Sequence, residues 1–224
     1  MKYIKKIIVT GVALCTLFAC GGGMDEYYKD VVRDGEIRYA SIVDSVTYYS
    51  GKYRAVISFL VNDANVSEVE IFWNNKVQSF KQPIDHVGKY SVEITDLKEQ
   101  SYSFTLISYS KNGSYSSMDV NVTGRVYGDT YQSNLLSRPI SSASFQGESL
   151  IILWGTADTE CLGTEVNYTN LSGENTTVFV NKSLGGSTLR NYMPNTEIRY
   201  RSLYMPSTLM VDTFRTEYIP ILVN

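Results

Sequence analysis

From about residue 36 the chain alternates apolar and polar positions with a period of two, in short runs divided by turn residues. Ala55, Ile57, Phe59 and Val61 alternate with Arg54, Val56, Ser58 and Leu60; Val69, Ile71 and Trp73 alternate with Glu68, Glu70 and Phe72. Tyr90, Val92 and Ile94 follow, then Tyr102, Phe104 and Leu106. Strict alternation over so few residues predicts half-buried antiparallel strands. Turn chemistry falls between the runs at Asn62-Asp63, Asn74-Asn75, Val87-Gly88 and Lys111-Asn112-Gly113.

The same grammar returns further along. Leu150, Ile152 and Trp154 form one run, Thr164, Val166 and Tyr168 the next, with Val178 and Val180 and then Ile198, Tyr200 and Ser202 after them. Short strands at regular spacing without helix-period stretches predict an all-β fold of two tandem β-sandwiches. The expected boundaries are a first sandwich over 36–126, a connector over 127–139 and a second sandwich over 140–224. The stretch from Gly124 to Pro139 holds Tyr131, Leu135 and Leu136, too apolar for a free linker, so it should pack between the sandwiches and restrain their angle.

The first residues follow a different pattern. Lys2, Lys5 and Lys6 precede an apolar run from Ile7 to Phe18, shorter than the ~20 residues that span a bilayer. This reads as a signal peptide over 1–19. Leu17-Phe18-Ala19-Cys20 looks like a bacterial lipobox, with Cys20 as the lipid acceptor and residues 20–35 as lipidated N-terminus and tether. Acyl chains bury ~0.8 kcal/mol per methylene, so several hold a protein to a membrane without spanning it.

Composition narrows the classes. Tyr is abundant at 18 and the net charge is −3, becoming more negative once the three leader lysines are removed. An acidic chain without a basic stripe excludes nucleic acid as a natural partner. Of the three cysteines, Cys15 leaves with the leader and Cys20 takes lipid, so Cys161 stands alone and no intrachain disulfide is available. It reads as a small buried hydrophobe.

Catalytic chemistry has little to stand on. The one histidine, His86, follows Pro83-Ile84-Asp85 in a turn, and no Gly-x-Ser-x-Gly elbow accompanies it. One Cys and one His cannot complete a zinc site, and neither Asp158 with Glu160 nor Asp25-Glu26 has the spacing of a calcium loop. Glu68 and Glu70 share one strand face, as outward polar positions of an antiparallel sheet do, and this reads as a solvated face before it reads as a glycosidase pair. The expectation is no enzyme, no cofactor and no metal.

Binding has more to draw on. Tyr48, Tyr49 and Tyr53 cluster about the turn at Ser50-Gly51, and Tyr109 and Tyr115 flank the Lys111-Asn112-Gly113 turn. Aromatic faces at loop tips can stack on sugar rings, and the competing reading is that they pack sandwich edges. Asp44-Ser45-Val46 resembles the O-glycosylation triplet of Bacteroidota, with Ser45 as acceptor. Seven Asn-x-Ser/Thr triplets, in a chain whose lipobox is bacterial, are read as compositional.

Leu97-Lys98-Glu99-Gln100-Ser101-Tyr102 has the spacing of the fibronectin type III tyrosine corner, whose hydroxyl reaches back to upstream backbone. Pro194-Asn195-Thr196-Glu197-Ile198 looks like a second corner with Ile198 in the tyrosine's place. More closely, the chain resembles a family of Bacteroidota lipoproteins, domain of unknown function 4998. The matching stretches are Gly35 to Tyr39, Gly51 to Arg54, Glu99 to Tyr102, and the run Gly124-Arg125-Val126-Tyr127-Gly128-Asp129 through Tyr131, Leu135-Leu136 and Arg138-Pro139-Ile140. The resemblance implies an outer-membrane lipoprotein with tandem fibronectin type III-like domains, tethered through Cys20 and displayed in the cell envelope. The expected role is a non-catalytic binding or accessory module in glycan capture or utilisation, with a glycan or an envelope protein as partner. The alternative is a structural spacer or adhesin-like subunit.

Overall fold

Alternation places Ala55, Ile57, Phe59 and Val61 on one side of a strand, and in the computed structural model all four are buried. The structure describes residues 39–111 and 115–223. The stretches expected to be signal peptide and tether, with Cys20 between them, fall outside the described residues, as does the turn tip at Asn112-Gly113.

The first sandwich contains β1 (Asp44–Ser50), β2 (Ala55–Val61), β3 (Val66–Trp73), β4 (Gln78–Pro83), β5 (Gly88–Ile94), β6 (Ser101–Ser110) and β7 (Val120–Arg125). They form a three-stranded sheet in the order β1-β2-β5 and a four-stranded sheet in the order β4-β3-β6-β7. All their ladders are antiparallel. Phe59, Ile57 and Ile94 from one sheet and Val69, Ile71, Phe104 and Leu106 from the other share one core. Burial of such side chains stabilises by ~1.5–3 kcal/mol each.

The second sandwich repeats this plan with β8 (Ile140–Gln146), β9 (Ser149–Trp154), β10 (Cys161–Thr169), β11 (Asn175–Asn181), β12 (Gly186–Leu189), β13 (Ile198–Tyr204), β14 (Phe214–Arg215) and β15 (Ile219–Pro220). Its sheets run β12-β9-β8 and β11-β10-β13-β14, with β15 also on β13. Three strands face four in the first sandwich and five in the second, where β14 and β15 share one edge, and the order matches, so the chain is two tandem antiparallel sandwiches of the fibronectin type III kind. Leu150, Ile152, Trp154, Val166, Tyr168 and Tyr200 fill the second core.

The corners behave differently in the two halves. The Lys98 N–H donates to the Tyr102 hydroxyl at 2.9 Å, closing the first corner. In the second half Ile198 is buried and makes no such bond, and two other tyrosines take up the task. Tyr192 donates to the Thr196 carbonyl at 2.5 Å, and Tyr200 to the Arg138 carbonyl at 2.9 Å.

Between the sandwiches the chain runs through Val126 and Tyr127 into α1 (Asp129–Ser133) and on to Pro139. This helix is too short to be stable alone. Its first N–H groups are met from a distance: Glu99, in the loop before β6, accepts from Thr130 at 2.9 Å and Tyr131 at 2.8 Å. Tyr127, Tyr131 and Leu135 then pack on Cys161, Tyr204 and Phe214 of the second sandwich. Leu136, expected to pack with them, is instead 81% exposed.

Candidate functional site

The turn after β1 is the hub of the residues singled out in the sequence, and it is built into a joint. Ser50 pairs with Met210 as an isolated parallel bridge, its N–H donating to the Leu209 carbonyl at 2.9 Å while Val211 N–H donates back to the Ser50 carbonyl at 2.8 Å. One residue on, Tyr127 N–H donates to the Gly51 carbonyl and Tyr53 N–H to the Tyr127 carbonyl. A Cβ on Gly51 would lie 2.8 Å from an Asp212 carboxylate oxygen, so only glycine lets the strands approach this closely.

Charge closes the same seam. Arg54 donates through Nε and Nη2 to the two oxygens of Asp212 at 2.9 and 2.7 Å, and through Nη1 to Glu93 at 2.6 Å. Lys52 N–H also donates to Asp212 at 2.8 Å, while its ammonium reaches Gln132 at 2.7 Å and Asp129 at 2.8 Å. The Arg54 guanidinium holds the Asp212 carboxyl below the usual carboxylate range, and Lys52 does the same for Asp129.

The candidate aromatics divide on this geometry. Tyr48 is a correction: it lies on the inward face of β1, 8% exposed, with its ring 5.9 Å from that of Phe104. Burial pushes its phenol up to about 12, and it has no face free for a ligand. Tyr49 lies on the opposite, half-buried face of β1. Tyr53 is exposed but bound into the joint. It holds a left-handed φ of 56°, its carbonyl accepts from Leu97 N–H, and its hydroxyl accepts from Asp129 N–H at 2.9 Å. Such a φ is strained for a bulky side chain, and these bonds hold it. Ser45, the expected glycan acceptor, is exposed at a bulge in β1 with φ 50°.

Tyr109 is the one aromatic of the set placed in an open basin. It lies outward on β6, half-buried, beside Ser67, Glu68, Glu70, Lys81 and Lys111. The Lys81 ammonium contacts Glu68 at 2.8 Å and Glu70 at 3.7 Å and sits 5.9 Å from the centre of the Tyr109 ring. Ser79 donates to Glu70 at 2.7 Å. The paired carboxylates of β3 are thus compensated by Lys81, and burial together with Glu70 raises the Tyr109 phenol. Tyr115 is half-buried on the far side of the turn, its carbonyl accepting from Ser110 N–H at 3.2 Å.

The remaining candidates are structural. His86 is exposed and hydrogen-bonded to Asp85 at 2.6 Å in a turn clasped by the Tyr90 hydroxyl. Glu160 accepts from the Tyr131 hydroxyl at 2.7 Å, and Asp158 from Glu160 N–H at 2.9 Å. No cluster of three or more metal-ligating side chains occurs among the described residues. No helix among them is long and apolar enough to cross a membrane.

Sequence reasoning missed two features. Arg138 is 4% exposed with no carboxylate in contact among the described residues; it donates to the Gly155 carbonyl at 2.8 Å and the Leu184 carbonyl at 3.0 Å, over the Trp154 ring. In the sequence it stands out only as part of the family-matching run Arg138-Pro139-Ile140. On the outer face of β13, Arg199 and Arg201 lie 4.9 and 4.5 Å from the Tyr218 ring centre. The alternation Arg199-Tyr200-Arg201 was the one hint of that ladder.

The described residues thus form two tandem fibronectin type III-like sandwiches held together by a joint of named side chains. The chain belongs to the DUF4998 family, a domain of unknown function, whose profile matches residues 20–214. No curated protein matches the chain. Among solved structures it is similar to the FN1–FN3 domains of chicken CNTN1, at 12% identity and a TM-score of 0.45, over 84% of this chain and 69% of that one. It is also similar to a two fibronectin type III domain segment of chicken tenascin, at 13% identity and a TM-score of 0.31, over 80% of this chain and 96% of that one. The BSP domain of a biofilm-associated protein aligns at 12% identity and a TM-score of 0.32, over 87% of this chain; the chain spans 31% of that protein's length.

Proposed function

We propose that this protein is a non-catalytic binding or accessory module of the bacterial cell envelope, tethered through lipid on Cys20 and presenting its outward sheet faces to a glycan or an envelope protein. The observation that carries the reading is the joint. The family run from Gly124 to Ile140 is occupied in fixing one sandwich against the other through Tyr127, Tyr131 and Leu135, which leaves the outer faces free for contact. The basin around Tyr109 supports a glycan as ligand, because an aromatic face beside carboxylates and an ammonium can stack on a sugar and hydrogen-bond its hydroxyls. The test is binding of the full chain to an array of microbial and host glycans. Binding that Tyr109→Ala abolishes supports the reading, and an array without signal, together with no envelope protein captured by cross-linking on cells, removes it.

The joint also favours a second reading, a structural spacer or adhesin-like subunit. Two sandwiches held at one fixed angle would space whatever they carry by a set length. Small-angle scattering of the full chain in detergent would give one fixed distance between sandwiches in this case and a broad distribution otherwise.

A further inference from the structure

Sheet edges are templates for further strands unless something blocks them, and stable proteins usually block them. Seven of the eight edges here carry a device. β1 has a bulge between Asp44 and Thr47, and β8 one between Ile140 and Ser142. β4 carries Lys81 and Pro83; β5 begins at Gly88 and carries Lys89 and Glu93; β7 ends on Gly124 and Arg125. β12 has four residues, and the last edge is broken into the two-residue β14 and β15, with Pro220 in the latter.

β11 has none of these. Its sequence, Asn175-Thr-Thr-Val-Phe-Val-Asn181, contains no glycine, proline or charge. All seven residues pair with β10 in unbroken register, and among the described residues none pairs with the other side. Phe179 is 50% exposed on it. The composition is that of a strand prone to add another.

Which groups face outward follows from the ladder. Asn170 N–H donates to the Glu174 carbonyl and Lys182 N–H to the Leu162 carbonyl, so both flanking residues continue the β10 register. In an antiparallel ladder, bonding groups alternate, so even-numbered residues of β11 face β10. Asn175, Thr177, Phe179 and Asn181 therefore direct N–H and C=O away from the sheet.

We propose that β11 is a homotypic docking edge at which a second copy of this chain adds its own β11, antiparallel and two-fold symmetric about Val178. The pairing is self-complementary. Thr177 falls opposite the second copy's Phe179 and Asn175 opposite its Asn181, each pair joining outward-facing groups, for about eight backbone hydrogen bonds in all. The Thr–Phe pairs are of the stabilising β-branched and aromatic kind. At both ends Glu174 of one copy meets Lys182 of the other, and both side chains are exposed. Centring the axis on Thr177 or Phe179 keeps the backbone bonds but leaves these charges unmatched. The two sheets that carry β11 become one continuous sheet across two molecules, independently of any ligand at Tyr109.

Sedimentation velocity of the full chain in mild detergent over a wide concentration range reads the dimer directly. The wild type should show a reversible dimer. Glu174→Lys or Lys182→Glu alone places two like-charged pairs in the interface and should weaken it about ten-fold at low salt, and the double variant should restore it. Thr177→Pro removes an outward N–H and the hydroxyl that accepts from Asn167 at 3.0 Å, but none of the backbone bonds to β10, so it should keep the fold and abolish the dimer; Thr177→Lys serves the same end if proline disturbs the strand. A wild type that stays monomeric throughout overturns the proposal. So does a dimer indifferent to Thr177, or one that the double charge exchange fails to restore.

Discussion

Arg54, just before β2, and Asp212, beyond β13, are 158 residues apart in the chain and meet as a two-pronged ion pair, with Nε to Oδ2 at 2.9 Å and Nη2 to Oδ1 at 2.7 Å. Fork geometry makes such a pair directional, so it fixes orientation as well as distance between the sandwiches. Both partners are partly exposed, and that screens the attraction.

Acid should therefore loosen the joint. The Asp212 carboxyl is held low by Arg54, so its contribution is full above the unfolded value of about 3.9 and is lost as pH falls through the lower folded value. Spin labels on the two sandwiches should keep one distance at pH 5 and broaden below about pH 4. Asp212→Asn should broaden it at pH 7 and cost about 1 kcal/mol in urea unfolding. A distance unchanged by Asp212→Asn would show that the backbone bridge at Ser50 and Met210 suffices.

Gly124 tests the close packing where β7 passes over β1. An added Cβ would lie 2.0 Å from the Tyr48 ring, which is itself buried against Phe104. Gly124→Ala should therefore destabilise by about 1–3 kcal/mol through overpacking. Gly124→Ala combined with Tyr48→Leu should recover part of that loss. Thermal denaturation of the single and double variants checks both, and additive losses would refute steric conflict as the cause.

The strands with period-two runs were legible in the sequence because large apolar side chains recur at every second, core-facing position: β2, β3, β5 and β6, and β9, β10 and β13 in the second sandwich. β4 was not, since Gln78 to Pro83 is an edge exposed on both faces and has no apolar alternation to read. The burial of Tyr48 was hidden for another reason. Its neighbours Tyr49 and Tyr53 look alike in sequence, and only the strand phase of β1 sends one ring inward and the next outward. The joint was legible as a segment too apolar for a linker. Its partners were not, because Asp212 and Glu99 are ordinary surface residues until the fold brings them to Arg54 and α1.

Arg138 should be among the costliest single changes in the second sandwich. Its guanidinium is buried and supplies hydrogen bonds to two carbonyls, those of Gly155 and Leu184, which bring the start of β8 to the loops at the ends of β9 and before β12. Arg138→Ala leaves both acceptors without a donor, and each such group costs about 1–3 kcal/mol. Arg138→Lys presents a point charge that cannot span both, and it should recover less than half the loss. Urea denaturation of the three proteins ranks them, and equality of lysine with arginine would contradict the bridging role.

Cys161 reports on the joint chemically. Its side chain is fully buried, with Tyr204 and Phe214 beside it and Tyr127, Tyr131 and Leu135 of the connector packed over the cluster. Burial raises its thiol above the ordinary value, so both protonation and access oppose alkylation in the closed state. Iodoacetamide at pH 8 should leave Cys161 unmodified in the native chain, as read by mass spectrometry of its own peptide. The connector must lift before the thiol ionises and reacts, so the labelling rate tracks that opening. Asp212→Asn, and Tyr131→Ala more strongly, should raise the rate while the far-ultraviolet circular dichroism stays unchanged. Equal rates in the wild type and Tyr131→Ala would mean that the thiol is reached by unfolding of the whole sandwich, and the connector would then be no independent cover.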